Sequence, residues 1–153
     1  MQFEHRIQIN PPGMSPAETL SRAQLWAGLM SRVRDARPFM PGLDACEILH
    51  WSDTRVERRL RWGALAVEDR VVIEADRWLR FETSPGADHN GGLLTITIET
   101  PTPGDLFLRF GYEIRFATGR EIEDAAYSEF LRQAYAAADT DTVRVIRELT
   151  HSE

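Results

Sequence analysis

The chain opens with an alternation of apolar and polar side chains, which predicts a strand with one buried face. Phe3 and Ile7 fall on one face of this strand, and Asn10-Pro11-Pro12-Gly13 ends it. A helix is expected next, because Ser21 and Gln24 have the spacing of a capping box. An earlier box begins at Ser15, so one or two short helices should follow the first strand. The apolar face of the main helix consists of Leu25, Trp26, Leu29, Met30 and Val33.

From Leu43 onward the period of the pattern changes to two, which predicts about six further strands. The turns between them are short, so neighbouring strands should pair antiparallel. The clearest of these strands carries on one face Leu106, Leu108, Phe110, Tyr112, Ile114 and Phe116.

After Gly119 the period returns to 3.6 residues, which predicts one long C-terminal helix. The side chains that share one face of this helix, called its stripe below, are Tyr127, Leu131, Ala134, Tyr135, Ala138, Thr142, Val145, Ile146 and Leu149. Asp139-Thr140-Asp141-Thr142 are poor helix formers, so a kink or a new cap is expected there. We interpret this run as a helix irregularity rather than a carboxylate site.

The element order predicts an α+β fold in one domain, residues 1–153, with about seven antiparallel strands and a long helix covering the apolar face. Alanines in the stripe leave volume beneath the helix, and this volume predicts a pocket. The alternative is a closed core, in which the alanines allow the helix to approach the sheet closely.

Composition and charge narrow the classes of function. Apolar residues make up 42% and charged residues 27% of the 153 positions. The net charge of −6 argues against nucleic acid as a partner. No apolar run is long enough for a membrane span, and the first residues lack a signal-peptide pattern, so a cytoplasmic location is expected. The single Cys46 excludes an internal disulfide.

Several stretches carry a resemblance that spans nearly the whole chain in collinear order. They are Phe3-Glu4-His5, Leu20-Ser21-Arg22-Ala23-Gln24-Leu25-Trp26-Ala27-Gly28-Leu29, Gly104-Asp105-Leu106-Phe107-Leu108-Arg109-Phe110, and Asp141-Thr142-Val143-Arg144. The chain thereby resembles the START-like, helix-grip (SRPBCC) superfamily, and within it the AtaL-like family. The resemblance implies a curved sheet wrapped around the C-terminal helix, and a hydrophobic ligand such as a lipid, steroid or polyketide. Some relatives are polyketide cyclases or aromatases, and others are carriers. No agreed catalytic motif carries over, so catalytic residues stay unknown, and no cofactor is expected.

Strand and helix parity predict which side chains face the cavity. The candidates for ligand binding are His5, His50, Arg58, Trp62, Phe110, Tyr112, Tyr135 and Thr142. A His or Tyr in this position can polarise a ligand carbonyl, and Arg58 can hold a carboxylate or enolate oxygen. Each of these candidate residues can also have a purely structural role. The Tyr and His groups can be satisfied within a core, and Arg58 can reach water at a sheet edge.

Other chemistries lack support in the sequence. His5, His50, His89 and His151 are scattered, so no metal site is predicted. There is no Gly-x-Ser-x-Gly elbow and no glycine-rich phosphate loop. Parity places Arg109 and Glu113 on the outer face, as a cross-strand or solvated pair.

Three functional hypotheses follow. The first is a small-molecule-binding protein with an apolar cavity. The second is a cofactor-independent enzyme of the cyclase or aromatase kind, which requires Tyr112, His50 and Arg58 to converge on one point. The third is a protein-interaction module with a closed core, such as a homodimer, motivated by Leu49, Trp51 and Phe107 on exposed faces.

Overall fold

The computed structural model describes residues 1–84, 91–115 and 125–152. Phe116 and His89 lie outside these residues. The strands are β1 Gln2–Gln8, β2 Ala45–Trp51, β3 Arg55–Trp62, β4 Leu65–Glu74, β5 Trp78–Thr83, β6 Gly91–Glu99 and β7 Phe107–Arg115. The helices are α1 Arg22–Arg34 and α2 Ala125–His151, with short 3-10 turns at Pro16–Glu18 and Arg37–Phe39.

The strands form one antiparallel sheet in the order β1-β7-β6-β5-β4-β3-β2. Strands β2 to β7 pair with one another in sequence order. Strand β1 pairs with β7, so that Phe3 lies opposite Tyr112. The α+β helix-grip prediction is confirmed, with a curved seven-stranded sheet, the long C-terminal helix and α1 after the first strand.

The start of α1 follows the predicted capping box. The Ser21 side chain accepts from the Gln24 backbone N–H at 3.1 Å, and the Ser21 N–H donates to Gln24 Oε1 at 2.8 Å. At the earlier box the Ser15 side chain caps nothing, and Pro16 begins a single 3-10 turn instead. The Asn10 side chain then fixes the loop between β1 and α1 by bonding both the N–H and the C=O of Leu20.

Helix α2 is continuous through residues 139–142, so the predicted new cap is absent there. Poor helix formers disturb a helix when their side chains compete for its backbone. Thr142 Oγ1 does donate to the Ala138 carbonyl at 3.1 Å, without breaking the helix, whereas Asp139 bonds to side chains of the sheet. Within the described residues, no helix combines the length and apolarity needed to cross a membrane.

The core lies between the inner face of the sheet, α1 and the C-terminal half of α2. Val143, Val145 and Ile146 are buried there, and a side-chain carbon on Gly28 of α1 would collide with Ile146. The two helices therefore touch closely at this point. The ends of the predicted stripe do not reach the core, because Tyr127 and Leu149 are 42% and 47% exposed. Burial in α2 is thus concentrated between Asp139 and Ile146.

Candidate functional site

A cavity of about 700 Å³ lies between the inner face of the sheet, the turn after α1 and the middle of α2. It is partly open to solvent, and its walls are mostly apolar, with Trp62 and Phe81 among them. Ala138 of α2 faces this space, as expected for a small residue that leaves volume under a helix. The cavity is present where the sequence predicts it, so the closed-core alternative is wrong.

The predicted site residues divide into two groups. Arg58, Trp62, Tyr112, Tyr135 and Thr142 line the cavity. His5, His50 and Phe110 do not. Phe110 is fully buried in the hydrophobic core, where its ring lies 6.5 Å from that of His5.

His50 is exposed on the outer face of the edge strand β2, so its predicted inward orientation is wrong. A bulge between Ile48 and His50 shifts the register with β3, so Ile48 lies opposite Arg58 but His50 lies opposite Glu57. Directly paired residues of antiparallel strands project to the same face. The extra residue therefore turns His50 to the face opposite Arg58.

Arg58 is buried, and its guanidinium is occupied by the protein itself. Its Nε and Nη2 groups donate to the two oxygens of Asp69 at 2.9 and 2.6 Å. Its Nη1 group donates to the Arg32 and Val33 carbonyls in the last turn of α1, at 3.0 and 3.2 Å. Arg58 therefore joins β3, β4 and the end of α1, and the alternative that it reaches water at a sheet edge is wrong.

Tyr112, Asp139 and His5 form a hydrogen-bonded chain from the cavity to the β1 side of the sheet. The Tyr112 hydroxyl donates to one oxygen of Asp139, and His5 Nδ1 lies 3.3 Å from the other. The ring of Tyr112 also stacks on Phe3 at 4.8 Å and packs against Tyr135 at 4.5 Å. Phe3 and Tyr135 also contact each other at 5.7 Å, so Tyr112 is held in a cluster of three rings and at its hydroxyl.

Asp139 lines the cavity, whereas the sequence indicates only a helix irregularity at residues 139–142. Its side chain is only 1% exposed. The signal was its spacing, since it follows Tyr135 by four residues and precedes Thr142 by three, which is the spacing of one helical face.

Burial is the main influence on the pKa values of Asp139 and the two neighbouring tyrosines. It raises the pKa of Asp139, against the opposing effect of the hydrogen bonds from Tyr112 and His5. Burial and the nearby Asp139 carboxyl raise the pKa of Tyr112, and burial likewise raises the pKa of Tyr135. Both phenols therefore stay protonated at neutral pH and act as hydrogen-bond donors or acceptors.

Arg32 is the second cavity residue that the sequence reasoning missed. Its Nη1 group donates to Thr142 Oγ1 at 3.0 Å, and its guanidinium carbon lies 5.2 Å from the centre of the Phe81 ring. Burial lowers the pKa of its guanidinium from the usual value. Its signal was also spacing, because it follows Leu25 by seven residues and Leu29 by three, on the apolar face of α1.

Tyr112, His50 and Arg58 do not converge on one point of the cavity, because His50 lies on the outer face. The cyclase-like hypothesis therefore loses the residues assigned to it.

Among residues 1–84, 91–115 and 125–152, no group of His, Cys, Asp or Glu is placed to hold a metal ion. On the outer face, Arg109 pairs with Glu4 at 2.8 Å and Glu99 at 3.0 Å rather than with Glu113.

Asp139→Asn is expected to gain stability relative to the wild type as the pH rises above about 4, the pKa of an unfolded aspartate. The raised pKa of Asp139 means that the folded protein binds this proton more tightly than the unfolded chain. The contribution of Asp139 to stability therefore falls as pH rises from that value to its folded pKa. Asparagine carries no such proton and can still accept from Tyr112.

Urea unfolding of both proteins at several pH values between 3 and 8 measures this difference. A difference in the free energy of unfolding that stays flat, or falls with rising pH, would contradict the prediction. Asp141→Asn on the same helix is the matched control, because the Asp141 side chain is 35% exposed and lies outside the hydrogen-bonded chain of Tyr112, Asp139 and His5.

Comparison with known proteins gives a family and a fold. Residues 3–153 match the family model described as "AtaL: Acetylaranotin biosynthesis cluster protein L". No curated protein matches the sequence. Among solved structures, Ara h 8.0201 is 12% identical with a TM-score of 0.67, covering 100% of this chain and 99% of its own.

Two further structures share the fold at low identity. The Zhui aromatase/cyclase from Streptomyces sp. R1128 is 16% identical with a TM-score of 0.62, covering 98% of this chain and 93% of its own. The di-domain ARO/CYC BexL from the BE-7585A biosynthetic pathway is 11% identical with a TM-score of 0.69, and the match covers 100% of this chain and 50% of that protein. At these identities the likeness describes the arrangement of strands and helices.

Proposed function

The chain belongs to the AtaL family, and from that premise and the cavity we propose that it binds a hydrophobic small molecule, aromatic or polyketide-like, between the sheet and α2. The observation that carries the proposal is the cavity itself, whose volume of about 700 Å³ falls within the range of small-molecule sites. Solved proteins of the same fold include structures described as aromatase/cyclases, which supports a ligand of this kind.

The walls of the cavity suit a flat apolar ligand. Trp62 and Phe81 on the sheet and Tyr135 on α2 offer aromatic surface from opposite sides. Offset or edge contacts with such rings add to the apolar area that a ligand buries. The few polar side chains are fixed by hydrogen bonds, as expected for groups that orient a ligand within an apolar surround.

Binding can be tested with the uncharged fluorescent probe N-phenyl-1-naphthylamine, whose emission rises in apolar surroundings. Ala138→Trp is expected to weaken the affinity at least about tenfold, or ~1.4 kcal/mol, because the indole fills the space beneath α2. Ala137→Trp is the matched control, since the neighbouring Ala137 is exposed like Ala138 but does not line the cavity. Equal affinities of the two variants would place the probe elsewhere and contradict the proposal.

Native mass spectrometry of the protein purified from its own host provides a second, independent measurement. A bound organic molecule that is lost from Ala138→Trp but retained by Ala137→Trp would support the proposal. Failure of the probe to bind, together with a spectrum of the unliganded chain alone, would count against a small-molecule role.

A further inference from the structure

We infer that the ligand of this cavity carries an anionic oxygen, such as a carboxylate, phenolate or enolate, and that Arg32 binds it. The inference rests on the proposed function and names the chemical class of its ligand. It starts from a contrast between the two arginines that line the cavity, Arg32 and Arg58.

The two guanidinium groups lie over the same aromatic ring but have different partners. Their central carbons lie 5.2 and 5.3 Å from the centre of the Phe81 ring. Arg58 has its charge balanced by both oxygens of Asp69, and its Nη1 group bonds to α1 carbonyls. Arg32 donates one hydrogen bond, to Thr142, and forms no ion pair with any acidic residue that the structure describes. Of the five N–H donors of each guanidinium, Arg58 uses four and Arg32 uses one, so Arg32 keeps most of its donors for a ligand.

The acidic residues around the cavity are committed to other groups. Both oxygens of Asp69 accept from Arg58, and the two oxygens of Asp139 contact Tyr112 and His5. Glu113 alternates along β7 with the buried Tyr112 and Ile114, so its side chain projects to the outer face. Asp139 and Asp69 attract the Arg32 guanidinium through space, but neither forms an ion pair with it, so its contact position for an anion is free.

A guanidinium that has no direct ion-pair partner in an apolar cavity creates a preference for anions. A charge removed from water is costly unless it is paired, and the lowered pKa of Arg32 reflects that removal. A ligand oxygen that carries negative charge would supply the missing partner through charge-assisted hydrogen bonds, which arginine can make in a bidentate form. An uncharged ligand of the same shape would leave the guanidinium without one.

Two matched probes test this directly. 8-Anilinonaphthalene-1-sulfonate differs from N-phenyl-1-naphthylamine only by its sulfonate group, so their affinities compare an anion with its uncharged parent. The wild type is expected to bind the anion about 10- to 100-fold more tightly, the range for a hydrogen bond to a charged group. Arg32→Gln should remove this preference while holding the affinity for the uncharged probe within about threefold. Ala138→Trp should weaken both probes.

The matched control is Arg34→Gln, which removes an exposed guanidinium from the same helix that lies over Trp51 and outside the cavity. It should leave both affinities unchanged. Arg32→Lys keeps the charge and should retain part of the preference, and it replaces Arg32→Gln if that variant does not fold.

The possible outcomes separate the two proposals. Equal affinity of the wild type for the two probes would overturn the role of Arg32 and leave the cavity as a binding site for uncharged ligands. A preference for the anion that survives in Arg32→Gln would also overturn it. If neither probe binds in a manner sensitive to Ala138→Trp, the proposed function itself fails.

Discussion

Arg58→Met is expected to lower the free energy of unfolding by about 3–5 kcal/mol, the cost of removing one partner from a buried ion pair. The side chains of Arg58 and Asp69 are 2% and 5% exposed, so the Asp69 carboxylate would be left without a partner and without water. The Arg32 and Val33 carbonyls would also lose their donor at the end of α1. For a domain of this size, the loss corresponds to a fall in melting temperature of roughly 6–20 °C.

Chemical unfolding of three variants measures the effect and its origin. Arg58→Met alone should show the full loss. Adding Asp69→Leu should recover much of it, because replacing both members of a buried pair with apolar residues is often close to neutral. Arg109→Met is the matched surface control, since that ion pair is partly exposed on the outer face and should cost about 1 kcal/mol or less.

A different result would change the interpretation of Arg58. If Arg58→Met lost no more stability than Arg109→Met, the buried pair would not hold β3, β4 and α1 together. If the double variant were as unstable as Arg58→Met, the bonds to the α1 carbonyls would dominate over the unpaired carboxylate. The double variant thus separates the two contributions of one side chain.

The sequence predicted the features of the fold that depend on local pattern. Periods of two and 3.6 residues mark the strands and α2, because burial of one face imposes the same spacing on the side chains. The Ser21–Gln24 box marked the start of α1, since both of its hydrogen bonds join residues three positions apart. These signals need no knowledge of distant contacts.

The site residues that the sequence mispredicted or missed depend on contacts between distant residues or on the register of the strands. One extra residue in β2 reversed His50, and no local signal distinguishes a bulge there from a regular strand. The partner of Arg58 lies on the next strand and on α1, so its burial could not be judged from parity. Asp139 and Arg32 lie on apolar helical faces, but periodicity alone does not show which side chain across the cavity each of them contacts.

The alternation of side chains along a strand predicts which face of the sheet a residue occupies, but not whether it lies in the core or at the cavity. Phe110 and Tyr112 share the inner face of β7, yet Tyr112 lines the cavity whereas Phe110 lies in the core. Depth depends on how the helices cover the sheet, and α1 and the end of α2 close over one part of it only. The same pattern of side chains therefore produces a core at one end of the sheet and a cavity at the other.

This division predicts opposite effects for two aromatic residues that the sequence placed together in the site. Phe110→Ala is expected to cost about 3–5 kcal/mol of unfolding free energy, because it empties a fully buried position. It should leave the affinity of the folded protein for N-phenyl-1-naphthylamine within about twofold, or ~0.4 kcal/mol. Trp62→Ala should weaken that affinity by about tenfold, or ~1.4 kcal/mol, because the indole lines the cavity.

Denaturant unfolding and probe titration of the same preparations measure both quantities. Trp62 is only partly buried, so its loss should cost less stability than the loss of Phe110. The assignment of Phe110 to the core would be wrong if its variant bound the probe as weakly as the Trp62 variant while remaining folded. A Trp62 variant with full affinity would instead mean that the ligand occupies the part of the cavity nearer Tyr112 and α2.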